Sequence, residues 1–177
     1  MKITNFEFKA RVPDIRIPED KLLTLHPKYI GEDHQIDTYF EVPHGRLKLR
    51  EGNIETALIF YEREDKSGAR QSDVLLYKHQ QCKALKKILT KLHSIKVVVD
   101  KIRRIYFIDN VKFHFDDVKD LGLFIEVEAI DETGDIVIDE LREQCMKYFE
   151  FFGIDENDCV KCSYSDLLLE ITKLSKA

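Results

Sequence analysis

The sequence predicts an α+β protein built on a largely antiparallel sheet, and three observations carry that prediction. Six separate segments alternate charged and apolar side chains with a period of two, which is the signature of strands. Two longer segments switch to a period of about 3.6, which is the signature of amphipathic helices. The strands also follow one another with helices set among them, rather than in strict strand–helix alternation. About eight strands are enough to close a barrel, and closure removes exposed edges.

The elements follow in order. Residues 2–12 read as a strand, with Glu7, Lys9 and Arg11 on one face and Phe6, Phe8, Ala10 and Val12 on the other. Pro18 suits the first turn of a helix over about 18–26, which Pro27 stops. After a polar stretch at 31–35, residues 35–40 form a second strand. The turn at Val42–Gly45 leads into GRLKLRE, whose Arg46, Lys48 and Arg50 face opposite Leu47 and Leu49. Gly52-Asn53 turns into a strand at 55–63, where Ile59, Tyr61 and Arg63 share a face, and 70–77 reads as a further strand.

From Lys78 to His93 the period lengthens, placing Cys82, Leu85, Ile88, Leu89 and Leu92 on one helical face. Strands return at 95–108, 110–117 and 122–130, the first two joined by a tight turn at Asp109-Asn110. They set Val99, Lys101 and Arg103 on one face, then Lys112, His114 and Asp116, then Glu126 and Glu128. A second amphipathic helix over about 136–152 buries Leu141, Cys145, Tyr148, Phe149 and Phe152 and stops at Gly153. A last short helix covers 166–174, capped by serine or aspartate.

Pairing these elements decides which strand face points inward. With apolar faces inward, the two amphipathic helices have little to pack against. With charged faces inward, the apolar outer wall is what those helices cover. The second arrangement gathers Lys9, Arg11, Arg46, Lys48, Arg50, Arg63, Lys101, Arg103 and Lys112 in one lumen, against Glu7, Asp116, Glu126 and Glu128. Unpaired buried charge costs several kcal/mol per ion, so such a lumen must hold water and receive a polyanion. Arginine and lysine suit phosphate oxygens. Carboxylates beside them suit a hard divalent cation, Mg²⁺ or Mn²⁺.

Composition bounds the alternatives. The chain has 177 residues, 44% hydrophobic and 34% charged, with net charge −5. That is enough for one domain with a sizeable core, and it disfavours a nucleic-acid partner. No apolar run approaches the length of a membrane helix and no signal-peptide core is visible, so a cytoplasmic protein is expected. Cys159 and Cys162 form a C-x-x-C without a second ligand pair or a βαβ context, so the four cysteines read as reduced thiols. His114 reads as an inward polar residue in a hydrogen-bond network. Tyr39 and Tyr61 read as packed tyrosines that could also stack on a nucleobase.

Taken together, Asn5-Phe6-Glu7-Phe8-Lys9, QIDTYF at 35–40, GRLKLRE at 45–51, Tyr61-x-Arg63, Val99-x-Lys101-x-Arg103, FDDV at 115–118, LGLFIEVE at 121–128 and SYSDLLL at 163–169 resemble the CYTH superfamily. These are the triphosphate tunnel metalloenzymes, and the class IV adenylyl cyclase-like group is the most similar. The resemblance implies an eight-stranded antiparallel β-barrel with a charged interior and helices packed outside, in one domain over 1–177. It implies Glu7, Asp116, Glu126 and Glu128 as ligands of Mg²⁺ or Mn²⁺. Lys9, Arg11, Arg46, Lys48, Arg50, Arg63, Lys101 and Arg103 become the phosphate clamp, with Lys9, Arg50, Lys101 and Arg103 closest to the chemistry.

The implied activity is ATP to cyclic AMP and pyrophosphate. The alternatives are hydrolysis of tripolyphosphate, a nucleoside triphosphate or thiamine triphosphate, and a non-catalytic polyphosphate or nucleotide-binding module. No nucleic-acid or membrane partner is implied, and the protein would act as a monomer or homodimer. One departure stands out. Asn5 occupies the place of the first hallmark glutamate and brings an amide instead of a charge.

Overall fold

The computed structural model describes residues 2–62 and 70–174. Within them the chain runs β1 (Lys2–Arg11), α1 (Arg16–Leu23), β2 (Lys28–Phe40), β3 (Arg46–Glu51), β4 (Thr56–Glu62), β5 (Arg70–Lys78), α2 (Lys83–Leu92), β6 (Ile95–Ile108), β7 (Val111–Val118), β8 (Gly122–Asp131), α3 (Ile138–Phe152) and α4 (Tyr164–Leu174). The eight strands close into a barrel in the order β1-β5-β4-β3-β2-β6-β7-β8, and every neighbouring pair is antiparallel. Closure is made by β1, which pairs with β5 on one side and β8 on the other, so each of the eight strands has a neighbour on both sides.

The period-two pattern sorts side chains as expected. Outward-pointing Phe8, Phe113, Phe115, Ile125 and Val127 form a buried cluster with Leu141, Cys145 and Tyr148 of α3. Phe113 meets Tyr148 edge-on at 4.7 Å and Phe8 meets Phe149 at 5.3 Å. Each fully buried ring contributes about 1.5–3 kcal/mol. On the other side of the barrel, Phe40 and Leu49 pack under Leu89 of α2. Gly153 ends α3 in the left-handed conformation (φ 66°), which a residue with a Cβ adopts at a cost.

Helix α1 spans Arg16–Leu23 rather than about 18–26 and α4 begins at Tyr164 rather than 166, and two elements differ further from the sequence reading. Strand β2 begins at Lys28 rather than 35, because the polar stretch pairs along its length with β6 and passes a register shift between Tyr29 and Gly31. Helix α2 is shorter, since Lys78 still belongs to β5 and pairs with Ala57. Of its predicted apolar face only Leu89 is buried and Leu85 half-buried, while Ile88 and Leu92 remain exposed. The helix touches the barrel along one edge only. No helix among the described residues is long and apolar enough to cross a membrane.

Candidate active site

The barrel encloses a cavity of about 900 Å³, and the inward side chains of β1, β3, β6 and β7 bring Lys9, Lys48, Arg50, Lys101, Arg103 and Lys112 into its wall. These cations are not left bare. Asp37 of β2 accepts from Arg50 at 2.8 and 3.0 Å, from Lys101 at 3.0 Å and from Lys48 at 3.1 Å. Burial alone would raise the Asp37 carboxyl, but Arg50, Lys101 and Lys48 outweigh it and hold it well below the usual range. Lys101 feels the reverse. Burial and the charges of Arg103, Arg50 and Lys48 overcome its contact with Asp37 and draw its ammonium down to about 7.

Glu55 is a second counter-ion, reaching in from the β3–β4 turn. Its carboxylate takes Arg50 at 2.8 Å and also pairs with Lys112. Asp33 fixes that turn by accepting from the backbone N–H groups of Ile54 and Glu55, both at 2.9 Å. Gly52 permits this closeness, because a Cβ there would lie 2.7 Å from the Asp33 carboxylate. Sequence reading missed both anions. Asp37 carried a signal, since it alternates with Gln35 and Tyr39 on the inward face of β2. Glu55 carried a weaker one: the strand expected at 55–63 sets it on the face of Ile59 and Tyr61, whereas β4 begins at Thr56 and Glu55 belongs to the turn before it.

Arg103 grips Asp116 through two nitrogens at 2.6 and 2.5 Å and also donates to Glu126 at 2.6 Å. The Tyr164 hydroxyl, at the start of α4, donates to the same Asp116 at 2.7 Å. Asp116 is thereby engaged as the anchor of Arg103, which links it through one nitrogen to Glu126, and it is not among the three residues His114, Glu126 and Glu128 whose ligand atoms cluster. Donor atoms of those three lie within 4.8 Å of one another. Glu126 also meets Lys9 at 3.1 Å, and Lys9 stands 3.9 Å over the Tyr164 ring. Burial and the neighbouring Glu126 and Glu7 carboxylates push Glu128 up to about 7 despite Lys112. Glu7 faces Glu128 across the β1–β8 ladder, and Asn5 donates to Glu7 at 3.5 Å.

Arg11 is exposed at the barrel rim, donating to the Leu121 carbonyl at 2.8 Å and lying over Phe124, so it does not join the cavity wall. Arg46 is half-buried at one end, tied to Ser163 and Asp166 at 2.8 Å each. Arg63 lies outside the described residues. His114 is buried, with Nδ1 3.4 Å from Glu126 Oε2, but neither ring nitrogen makes a well-aligned hydrogen bond. Burial, Arg103 and Lys112 hold its pKa at about 3 against the pull of Glu126, so the ring is neutral.

The remaining wall is of a different kind. Strands β4 and β5 turn Ala57, Ile59, Tyr61, Val74 and Leu76 into the lumen as one apolar cluster. The cavity wall is therefore cationic along β1, β3, β6 and β7 and apolar along β4 and β5, with Ile59 beside Lys48 in the β3–β4 register and a carboxylate group next to the cations. That donor set fits a divalent cation: Glu126 and Glu128 offer oxygens, and the buried imidazole lacks any other partner.

A family model described as the CYTH domain matches residues 4–164. A Methanocaldococcus jannaschii protein provisionally named an adenylate cyclase is 26% identical over 174 residues, covering 91% of this chain and 96% of its own. A solved Pyrococcus horikoshii structure superposes with TM-score 0.77 at 25% identity, covering 92% of this chain and 98% of that one. A Hippeastrum protein provisionally named an adenylyl cyclase and described as having a dominant triphosphatase activity has TM-score 0.57 at 11% identity, covering 87% of this chain and 89% of that one.

Proposed function

Because the chain belongs to the CYTH domain family, we propose that it is a metal-dependent enzyme converting ATP to cyclic AMP and pyrophosphate inside the barrel. The observation that carries this reading is the division of one lumen into a cationic wall, a carboxylate group and an apolar wall. The cations fit a triphosphate chain. The apolar wall fits an organic group attached to it.

In that reaction the ribose 3′-hydroxyl gives its proton to solvent, its oxygen bonds to the α-phosphorus, and the bond from that phosphorus to the α,β-bridging oxygen breaks, releasing pyrophosphate. Lys48, Arg50 and Arg103 bind and orient the phosphates, and they stabilise charge growing on the leaving pyrophosphate. Lys101, drawn down to about 7, holds a proton that it can deliver to that leaving group. Glu126 and Glu128, with Glu7 nearby, would hold the divalent cation, which when bound supplies Lewis-acid polarisation of phosphoryl oxygens.

Hydrolysis of the same triphosphate is the second reading, favoured by the triphosphatase activity described for the Hippeastrum neighbour. Phosphorus NMR of the protein with ATP, tripolyphosphate and thiamine triphosphate, each with Mg²⁺ and with Mn²⁺, separates the two. Cyclic AMP with pyrophosphate supports the cyclase. Orthophosphate from tripolyphosphate with no cyclic product from ATP replaces it with a triphosphatase. Tight binding without any product would leave a binding module, with Asn5 the residue to blame.

A further inference from the structure

His114 is a buried side chain at the site whose chemistry the triphosphate reading does not use. Its side chain is 1% exposed, it sits opposite Glu126 in the β7–β8 register, and both ring nitrogens go without a hydrogen bond. Buried polar groups are nearly always bonded, and leaving one unsatisfied costs about 1–3 kcal/mol. A structural histidine would have found a carbonyl or hydroxyl. This one points Nδ1 between two carboxylates instead, 3.4 Å from Glu126 Oε2 and 3.9 Å from Glu128 Oε1.

We infer that His114 is a metal ligand, joining Glu126 and Glu128 in a site of one nitrogen and two carboxylates that prefers a transition ion such as Mn²⁺ or Co²⁺ to Mg²⁺. The inference rests on reading the lumen as a metal-dependent site and names the ligand and the ion class. Mg²⁺ takes oxygen ligands and keeps its water, whereas imidazole nitrogen suits first-row transition ions. All three residues sit on paired strands of a closed barrel, so their spacing is set before any ion arrives. With the ring proton on Nε2, Nδ1 presents a lone pair to the gap. Glu126 keeps lone pairs beyond those engaged by Lys9 and Arg103.

The test titrates Mn²⁺ alone into the full chain and reads the bound ion by pulsed electron paramagnetic resonance. Expected are ¹⁴N modulation from a coordinated imidazole, its loss in His114→Gln, and at least tenfold weaker Mn²⁺ binding in that variant. Mg²⁺ affinity, from calorimetry, should change less than threefold. Bound Mn²⁺ without ¹⁴N modulation in the unmodified protein overturns the inference, whether or not the variant folds. So does the absence of Mn²⁺ binding, and so does modulation that persists in His114→Gln. Mn²⁺-supported triphosphate turnover without ¹⁴N modulation would remove this inference and keep the proposed function. Modulation without affinity for any triphosphate would do the reverse.

Discussion

Asp37 and Lys101 meet at 3.0 Å inside the barrel, each side chain 1% exposed, although 64 residues separate them in sequence. The same Asp37 carboxylate holds Lys48 and Arg50. One anion thus gathers three cations from two strands at the centre of the cavity, where a phosphate group would find the same partners. Asp37 keeps the basic wall assembled when no polyanion is bound. It must also give up part of its hold when one enters.

Removing that anion should be costly to the empty protein and less costly to the loaded one. Asp37→Asn leaves buried cations without their counter-ion, and breaking such a pair costs about 3–5 kcal/mol. Thermal melting of the variant should show a clear loss of stability. Tripolyphosphate should raise its Tm by more than it raises that of the unmodified protein, since native-state binding adds RT ln(1 + [L]/Kd). Equal ligand shifts in the two proteins would show that Asp37 and phosphate do not share partners.

Lys101 sets a pH dependence whose sign can be worked out. In the unfolded chain a lysine holds its proton to about 10.4, while in the fold Lys101 releases it at about 7. Between these values the unfolded state binds the extra proton, so stability from this group rises with pH from about 7 to about 10. The slope is at most about 1.4 kcal/mol per pH unit. Urea unfolding from pH 7 to 9.5 should show this rise in the unmodified protein and its loss in Lys101→Met. A matching rise in the variant would assign the titration to another group.

The barrel was legible because strand periodicity and helix periodicity each demanded an apolar partner, and only one arrangement supplied both. Phe8 and Leu141, or Leu49 and Leu89, are that demand met. Alternation says which face a side chain takes but not how far along the tunnel it sits. Arg11 and Glu7 share a face, yet Arg11 has already left the cavity where β1 ends. The role of Glu55 was hidden for another reason, since alternation could give its face but its place depends on Asp33 bonding two turn amides from a strand about twenty residues earlier. His114 was visible as an inward residue, but its lack of a partner is a property of the packed interior.

Glu128 should matter for turnover more than for folding. Its carboxyl, pushed up to about 7 by burial and by Glu126 and Glu7, is repelled by its neighbours. Glu128→Gln removes that repulsion together with an oxygen anion for the cation. Steady-state turnover should fall at least tenfold, about 1.4 kcal/mol of transition-state stabilisation, while the melting temperature holds or rises. Full activity would show that the cation is held by other residues.

The apolar wall makes the last prediction, because inorganic and organic triphosphates differ only in what lies beyond the phosphates. Ala57, Ile59 and Tyr61 on β4, with Val74 and Leu76 on β5, face the same lumen as Arg50 and Lys48. A tunnel built for tripolyphosphate alone gains nothing from such a surface, since apolar groups offer no counter-charge. A base or other ring laid against it would leave water, and burying an aliphatic side chain under it is worth about 1.5–3 kcal/mol. Ile59→Asn should therefore weaken ATP binding about tenfold or more, near 1.4 kcal/mol. Tripolyphosphate affinity should change less than about twofold, because Ile59, although it is the cross-strand neighbour of Lys48, offers a phosphate chain no charge and no hydrogen bond. Calorimetric titration of both ligands into both proteins reads the difference. Equal weakening of the two would mean that Ile59 only shapes the barrel, and that the organic group of the substrate lies elsewhere.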